Sequence, residues 1–170
     1  MQGVKKNYCL IVISLLISLF IYLFYRTEKT VVNEIFVYLI SFDKFVELRK
    51  TITNILSLNE HIIYSLPEGL WVFCITLTSK HFLLKIGNSE INLLFLPLIF
   101  SIGLELFQLL HLTNGRFDIW DIAFSVIFWA IANYLITHKS TKQNILYPFS
   151  TRSFICLFSY LIVYLAHVWK

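Results

Sequence analysis

The sequence predicts an all-α protein, a polytopic membrane bundle of about five transmembrane helices with one interfacial segment. Of its 170 residues, 58% are hydrophobic and 14% are charged, against about 45–50% and about 25% in an ordinary soluble domain. The mean hydropathy is +0.73. This apolar surface is too large for one buried core, so much of it must face lipid. A soluble enzyme, a disordered tail and a disulfide-rich secreted module are disfavoured.

The positive charge does not indicate a nucleic-acid partner. The net charge is +4, but the Lys and Arg residues are spread between apolar blocks and form no basic run or face. Cys9, Cys74 and Cys156 each lie inside an apolar block, and neither they nor the histidines have the spacing of a metal site. We therefore expect no metal and no cofactor.

The first element is an anchor helix over residues 8–25. This stretch has no charge, follows Lys5 and Lys6, and is longer than the apolar core of about 7–15 residues in a signal peptide. Residues 26–64 mix charges with apolar patches that are too short to span a bilayer. That pattern is typical of an interfacial or re-entrant segment.

The remaining elements are four further spans. Ser65 and Glu68, with Pro67 between them, resemble the capping box that starts a helix. Asn114-Gly115 indicates a helix end, and Asp118 is placed to cap the next helix. The predicted spans are residues 66–82, 91–112, 119–136 and 153–169.

The chain divides into three parts: an anchor with an external segment (1–65), a core of three spans (66–137), and a cytoplasmic loop with the last span (138–170). The short loops on the side of the N-terminus hold most of the Lys and Arg residues of the short segments. The positive-inside rule therefore places the N-terminus in the cytoplasm and the linker between the third and fourth spans outside.

Glu105 needs an explanation, because an ionisable side chain inside a span costs about 2.5–3.5 kcal/mol. Gln108 shares its helix face, and Asp118 and Asp121 should approach both residues across the antiparallel hairpin. Arg116 precedes them. We expect these five groups to converge near the outer interface. Alternatively, Asp118 caps the fourth helix, Asp121 interacts with its dipole, and Arg116 snorkels or pairs with an acid.

Two further residues have open roles. Glu68 either belongs to the capping box or faces the same outer vestibule as Glu105. His111 lies near the outer end of the third span and could reach Asp118, although an interfacial polar role is favoured over that of a catalytic base.

These residues carry a resemblance to a known family. The stretches 105–108 (ELFQ) and 115–121 (GRFDIWD) resemble the E-x-x-Q … R-x-F-D-I-x-D core of the VanZ-like membrane protein family. The resemblance covers about residues 66–136, including LPEGLW at 66–71. Phe117-Asp118 follows Arg116 one residue more tightly than in the family pattern, and Ser125 and Phe128 stand at its usual Asn and Gly. The last change leaves the close packing of the fourth helix open.

The resemblance implies a multi-pass protein of the bacterial plasma membrane that modulates susceptibility to the glycopeptide teicoplanin. Such a protein would bind membrane lipids, and a lipid-linked cell-wall precursor or a glycopeptide, through its polar cluster. The alternative is a membrane-embedded enzyme that acts on a lipid or cell-wall precursor, with Glu105 as general acid or base, or with Glu105, Asp118 and Asp121 around a divalent cation. The sequence shows no activated nucleophile and leaves the oligomeric state open.

Overall fold

The computed structural model describes residues 2–26, 31–87, 89–112, 116–134 and 142–168. These residues form seven helices and a small sheet. The helices are α1 Gln2–Phe24, α2 Val31–Ile40, α3 Phe42–Ile55, α4 Glu60–Ser79, α5 Leu96–Leu109, α6 Ile119–Tyr134 and α7 Thr151–Val168. The strands are β1 Phe82–Ile86, β2 Ser89–Asn92 and β3 Gln143–Asn144. The mostly helical class is confirmed, but the expectation of an all-α chain missed the sheet.

Two helices of the described chain are long and apolar enough to cross a membrane. They are Asn7–Phe24 within α1 and Glu60–Ser79, which is α4. The apolar helices α5 and α6 are shorter, with 14 and 16 residues. By length and composition, then, two helices qualify as spans, whereas the full set of five is not shown.

Helix α4 lies at the centre of the fold and packs against α1, α5, α6 and α7. Its middle is almost fully buried, with Val72, Ile75 and Thr76 at 2% exposure or less. Phe73, Cys74 and Leu77 form a cluster with Ala132 of α6. This apolar helix is therefore the core helix, which other helices surround.

The structure moves the start of the second predicted span from residue 66 to Glu60. Asn59 is the N-cap, and its side chain accepts a hydrogen bond from the His61 N–H at 3.0 Å. Ser65 and Glu68 therefore lie inside α4, and the capping-box prediction was wrong. Pro67 lies one turn further in than expected. An S-x-x-E spacing also occurs inside helices, and here Asn59 offers the backbone a better-placed acceptor.

The third predicted span, residues 91–112, is broken at its start. Residues 91 and 92 belong to β2, which pairs antiparallel with β1 through Leu84↔Ile91 and Leu83↔Asn92. The Asn92 side chain accepts from the Leu94 N–H at 3.2 Å, and α5 begins only at Leu96, with Pro97 in its first turn. An apolar run does not distinguish a strand from a helix by itself. Pairing with β1 determines the outcome here.

The sheet has the order β2-β1-β3 and covers the end of the bundle where α4 finishes. Gly87 has φ +59°, the left-handed conformation that glycine adopts readily, in the hairpin between β1 and β2. Phe82 and Leu93 pack with Ile145 and with Cys156 of α7. This end of the fold is a second, smaller apolar cluster.

Other predicted boundaries hold closely. Asp118 caps α6 as expected, since its Oδ1 accepts from the Trp120 N–H at 2.9 Å. Helix α7 begins two residues before the predicted residue 153, and α1 ends one residue before residue 25. The start of α1 was misplaced, since the helix begins at Gln2, six residues before the predicted residue 8. Helix α6 is described to Tyr134, so its predicted end at 136, the Asn114-Gly115 helix end and the final residue of the fifth span lie outside the described residues.

The segment after α1 folds as two short helices against the end of α1. The Arg49 guanidinium of α3 donates to the carbonyls of Phe24 and Arg26, each at 3.0 Å. Phe45 packs against Phe24. Other large apolar side chains point away from the protein, including Tyr38 at 90% and Ile55 at 81% exposure. Their exposure favours the interfacial interpretation of this segment.

Candidate functional site

Four carboxylates lie where α4 begins, α5 ends and α6 begins. They are Glu68 on α4, Glu105 on α5, Asp118 just before α6, and Asp121 in the first turn of α6. We call them the acidic cluster. Antiparallel packing of α5 and α6 and of α4 and α5 brings their ends together, as the sequence predicted for the last three residues.

Glu105 is the buried member, with 3% exposure. Its Oε2 accepts a hydrogen bond from the backbone N–H of Asp118 at 3.1 Å. That N–H lies ahead of the first turn of α6, where backbone donors have no partner within the helix. Glu105 therefore fixes the entry of the chain into α6, which gives this buried acid a structural contact.

Glu68 lies inside α4 and within electrostatic range of Glu105, so it is not part of the α4 N-cap. Its Oε2 accepts from Trp71 Nε1 at 2.6 Å, and its Oε1 accepts from the Ser101 hydroxyl at 3.3 Å. The Ser101 hydroxyl also contacts the Ser125 hydroxyl at 2.8 Å. This chain of polar contacts connects α4, α5 and α6 inside the bundle. Ser125 is fully buried and points into the site.

Asp121 and Ser65 form the unsatisfied part of the cluster. Ser65 is fully buried, and its hydroxyl lies beside the Asp121 carboxylate. The geometry is outside that of a hydrogen bond, and neither Ser65 Oγ nor Asp121 Oδ1 has a hydrogen-bond partner among the described residues. A helical serine commonly bonds the carbonyl four residues earlier, but Ser65 does not. Two buried polar atoms thus lie side by side with unused hydrogen-bonding capacity.

Gly69 sets the spacing between α4 and α6 at the site. A Cβ on Gly69 would lie 2.6 Å from Phe128 Cδ2 and 3.1 Å from the Phe124 carbonyl oxygen. The two helices therefore approach closely although α6 has Phe128 at this contact, because the small residue stands on α4. Gly69 is one turn after Ser65, so the same close approach places Ser65 against Asp121.

The cluster carries an excess of negative charge. Glu105 lies within electrostatic range of Glu68, Asp118 and Asp121. Within the described parts of the chain, Glu105, Asp118 and Asp121 make no ion pair, and the ion pair found there is Lys85–Glu90, in the β1–β2 hairpin. Arg26 is near enough to Asp121 to act on its charge, but its guanidinium donates to the carbonyls of Ile63 and Tyr64.

The cluster is not built like a divalent-metal site. Over the described residues, no three His, Cys, Asp or Glu side chains are grouped closely enough to hold a metal ion. The arrangement instead offers separate carboxylate and hydroxyl acceptors, such as Glu68, Asp121 and Ser65. Such a set suits a hydrogen-bond donor that carries positive charge.

Three predicted site residues are not drawn into the cluster. Arg116 is exposed and forms no hydrogen bond or ion pair with a described residue. His111 is exposed, has φ 57°, and donates its backbone N–H to the Gln108 carbonyl at 3.0 Å. Gln108 is half-buried, and its side chain has no hydrogen bond to the acids. Residues 113–115, between these groups and Asp118, lie outside the described residues.

No family model, curated protein or solved structure matches the chain. The VanZ-like resemblance therefore depends on the residues that carry it. Of those, Glu105, Asp118 and Asp121 come together in the structure, with Glu68 from the preceding helix.

Sequence reasoning missed Ser65, Ser101 and Arg26 as members of the site. One signal would have found the two serines. Ser65 lies three residues from Glu68, Ser101 lies four from Glu105, and both spacings put a hydroxyl on the same helix face as an acid. Ser125 stands four residues after Asp121 in the same way. Arg26 carried no such signal, since only the packing of α1 on α4 brings it near.

Proposed function

We propose that the protein is a VanZ-like multi-pass membrane protein of the bacterial cell envelope that binds a lipid-linked or antibiotic head group at the outer membrane interface. It would thereby modulate susceptibility to glycopeptides. The observation that carries the proposal is the acidic cluster itself, with Glu105 at 3% exposure and two unsatisfied polar atoms beside it. A purely structural cluster would be expected to satisfy its buried polar groups.

The position of the cluster supports the proposal. It lies at the beginning of α4 and α6, at the end of the bundle that the positive-inside rule places outside. Glycopeptides and lipid-linked precursors are encountered at that surface. The proposed chemistry is recognition of amines and hydroxyls by the acids of the cluster. Arg26, which is near Asp121, would bind a phosphate or carboxylate.

The test is the teicoplanin susceptibility of a bacterial strain that expresses the wild-type protein or Glu105→Gln from the same promoter. Glu105→Gln keeps the size and one acceptor oxygen but removes the charge. We expect Glu105→Gln to lose the reduction in teicoplanin susceptibility that the wild type confers, together with the change in teicoplanin binding to whole cells. Glu90→Gln is the matched control, since Glu90 is exposed and paired with Lys85 outside the acidic cluster.

The wild type and the two variants must be present at equal levels in the membrane before their teicoplanin susceptibilities are compared. If Glu105→Gln and Glu90→Gln both behave as wild type, the acidic cluster has no role in glycopeptide susceptibility and the proposal fails. Turnover of a lipid-linked substrate by the purified protein, lost in Glu105→Gln, would instead establish the membrane-enzyme alternative.

A further inference from the structure

We propose that the acidic cluster binds a primary ammonium group, with Asp121 and Ser65 as its principal acceptors and Arg26 beside the anion attached to it. This inference rests on the proposed function and specifies its ligand as a zwitterionic head group. Phosphatidylethanolamine in the surrounding bilayer and a soluble amine present the same chemistry. The experiment below separates the two sources.

The two unsatisfied atoms, Ser65 Oγ and Asp121 Oδ1, indicate which kind of ligand group the site would bind. Ser65 is fully buried and lies beside Asp121, yet Ser65 Oγ and Asp121 Oδ1 have no partner among the described residues. An orphaned buried polar group is costly, and the Ser65 hydroxyl and the Asp121 carboxylate together keep acceptor capacity that a bound donor would use. Both atoms can accept, so one donor group placed between them would satisfy both.

The charge of the cluster indicates that this donor is cationic. Asp121 lies in the field of Glu68 and Asp118, and Glu105 lies in the field of Asp121. Within the described chain, neither Glu105, Asp118 nor Asp121 has an ion-pair partner. A water molecule would satisfy the hydrogen bonds but would leave the repulsion between the carboxylates. A cation relieves both.

The spacing of the acceptors favours an ammonium over a metal ion. Hydrogen bonds from an ammonium are about 2.8 Å long, whereas oxygen ligands lie about 2.1 Å from Mg²⁺ and about 2.4 Å from Ca²⁺. Acceptors around an ammonium are therefore farther apart than metal ligands. The described residues lack a group of three tightly placed acidic or histidine side chains, and hydroxyls such as that of Ser65 are ordinary partners of an ammonium.

Arg26 gives the site a cationic neighbour for the other half of a zwitterion. Its guanidinium lies 4.2 Å from the centre of the Tyr22 ring and donates to the Tyr64 carbonyl at 2.7 Å, so it is held in place. It is also near enough to Asp121 to influence that carboxylate. A guanidinium has five N–H donors, and phosphate is a preferred partner. In an ethanolamine phosphate, two methylenes separate the amine from the phosphate.

The depth of the site is compatible with a lipid head group. Ser65 is five residues after Glu60, the first residue of α4, which corresponds to about 7.5 Å along the helix. The polar region on each side of a bilayer is about 5–7 Å thick. Ser65 therefore lies just below this region, and the amine of a head group would descend between α4 and α6 to reach it.

The test uses the full-length protein in nanodiscs that contain equal amounts of phosphatidylethanolamine and phosphatidylcholine with identical acyl chains. Phosphatidylcholine has the same charges but no N–H donors. Native mass spectrometry then measures which lipid stays bound after release into detergent. We expect a preference of roughly tenfold for phosphatidylethanolamine, the factor that one charge-assisted hydrogen bond supplies. Asp121→Asn and Ser65→Ala should each reduce it, and Glu90→Gln should not.

A second arm identifies a soluble source. In nanodiscs of phosphatidylcholine alone, phosphoethanolamine is added and the Tm is measured. A rise that Asp121→Asn abolishes, without lipid preference in the first arm, supports the ammonium site with a soluble ligand. Absence of both effects in the wild type overturns the inference, as does an unchanged preference in Ser65→Ala, which keeps the fold because it removes an unbonded hydroxyl.

The two proposals fail separately. Loss of the teicoplanin phenotype in Glu105→Gln, without any preference for an ammonium group, would keep the proposed function and discard the ligand. An ammonium preference without an effect on glycopeptide susceptibility would keep the ligand and discard the proposed function.

Discussion

Replacing Gly69 with alanine is predicted to push α4 and α6 apart. The added Cβ would meet Phe128 Cδ2 at 2.6 Å and the Phe124 carbonyl oxygen at 3.1 Å, whereas carbon atoms pack best at about 3.5–4.0 Å. The Phe128 ring must therefore move by about 1 Å, and the backbone oxygen allows little room on the other side. Overpacking of this kind costs about 1–3 kcal/mol.

Alanine also stabilises a helix relative to glycine by about 0.8–1.0 kcal/mol, which works against the clash. Gly103→Ala isolates this contribution. Gly103 lies inside α5, and a Cβ there meets nothing within 4 Å. We therefore expect Gly103→Ala to raise stability slightly and Gly69→Ala to fall about 1–3 kcal/mol below it, since the two differ only in the clash.

The assay is reversible unfolding of the purified protein in detergent micelles, with both variants and the wild type measured together. Phe128→Leu, which removes ring atoms, should restore part of the loss when it is combined with Gly69→Ala, and the double-mutant cycle measures that coupling. The reasoning is refuted if Gly69→Ala is as stable as Gly103→Ala. In that case α4 and α6 do not approach as closely as the structure shows.

Four further outcomes are expected. Glu105→Ala should destabilise the protein by about 1–3 kcal/mol because the Asp118 N–H loses its acceptor, and Glu105→Gln should destabilise it by less. Hydrogen exchange at the Asp118 amide measures the difference. Equal exchange rates in the two variants and the wild type would contradict the contact. Asn59→Ala should lower the free energy of unfolding by about 0.5–2 kcal/mol, because the α4 cap is lost. Ser65→Ala should be neutral or stabilising in detergent without amine. Unfolding of both variants separates the observed cap from the S-x-x-E box. Lys85→Ala should change stability by less than about 1 kcal/mol, because the Lys85–Glu90 pair is about half exposed; a larger loss in the same assay would give the hairpin an unexpected role. With the native cysteines replaced, Glu90→Cys should resist a membrane-impermeant maleimide added to whole cells while Asn59→Cys reacts, and the reverse labelling would invert the proposed orientation.

The sequence was most informative where one helix and its own ends determine the structure. The start of α6 at Ile119 followed from the capping ability of Asp118. The end of α1 at Phe24 followed from an uncharged run, whereas its start at Gln2 did not. Glu105 could be singled out because a lone acid in an apolar stretch has few explanations. These are local properties, which residue type and spacing along the chain indicate.

The errors have a common cause in contacts between distant residues. Ile91 and Asn92 form a strand because β1 lies beside them, and nothing in their own stretch indicates that partner. The start of α4 was misplaced because Ser65 and Glu68 have the spacing of a capping box, although Asn59 performs that role. Arg26 approaches Asp121 through the packing of α1 on α4, across almost one hundred residues of chain. The residue pattern of one segment does not indicate contacts with residues far away in the chain.

The lengths of the three site helices differ in a way that concerns the lipid around them. Helix α4 has 20 residues, α5 has 14 and α6 has 16, which correspond to about 30, 21 and 24 Å. A hydrocarbon core of about 30 Å matches the first and exceeds the other two. If all three helices lay in a bilayer as proposed, the bilayer would have to thin or admit water locally beside the described parts of α5 and α6. Lipids with longer acyl chains would then increase this mismatch, and bilayer thickness would control how far a head group must descend to reach Glu105.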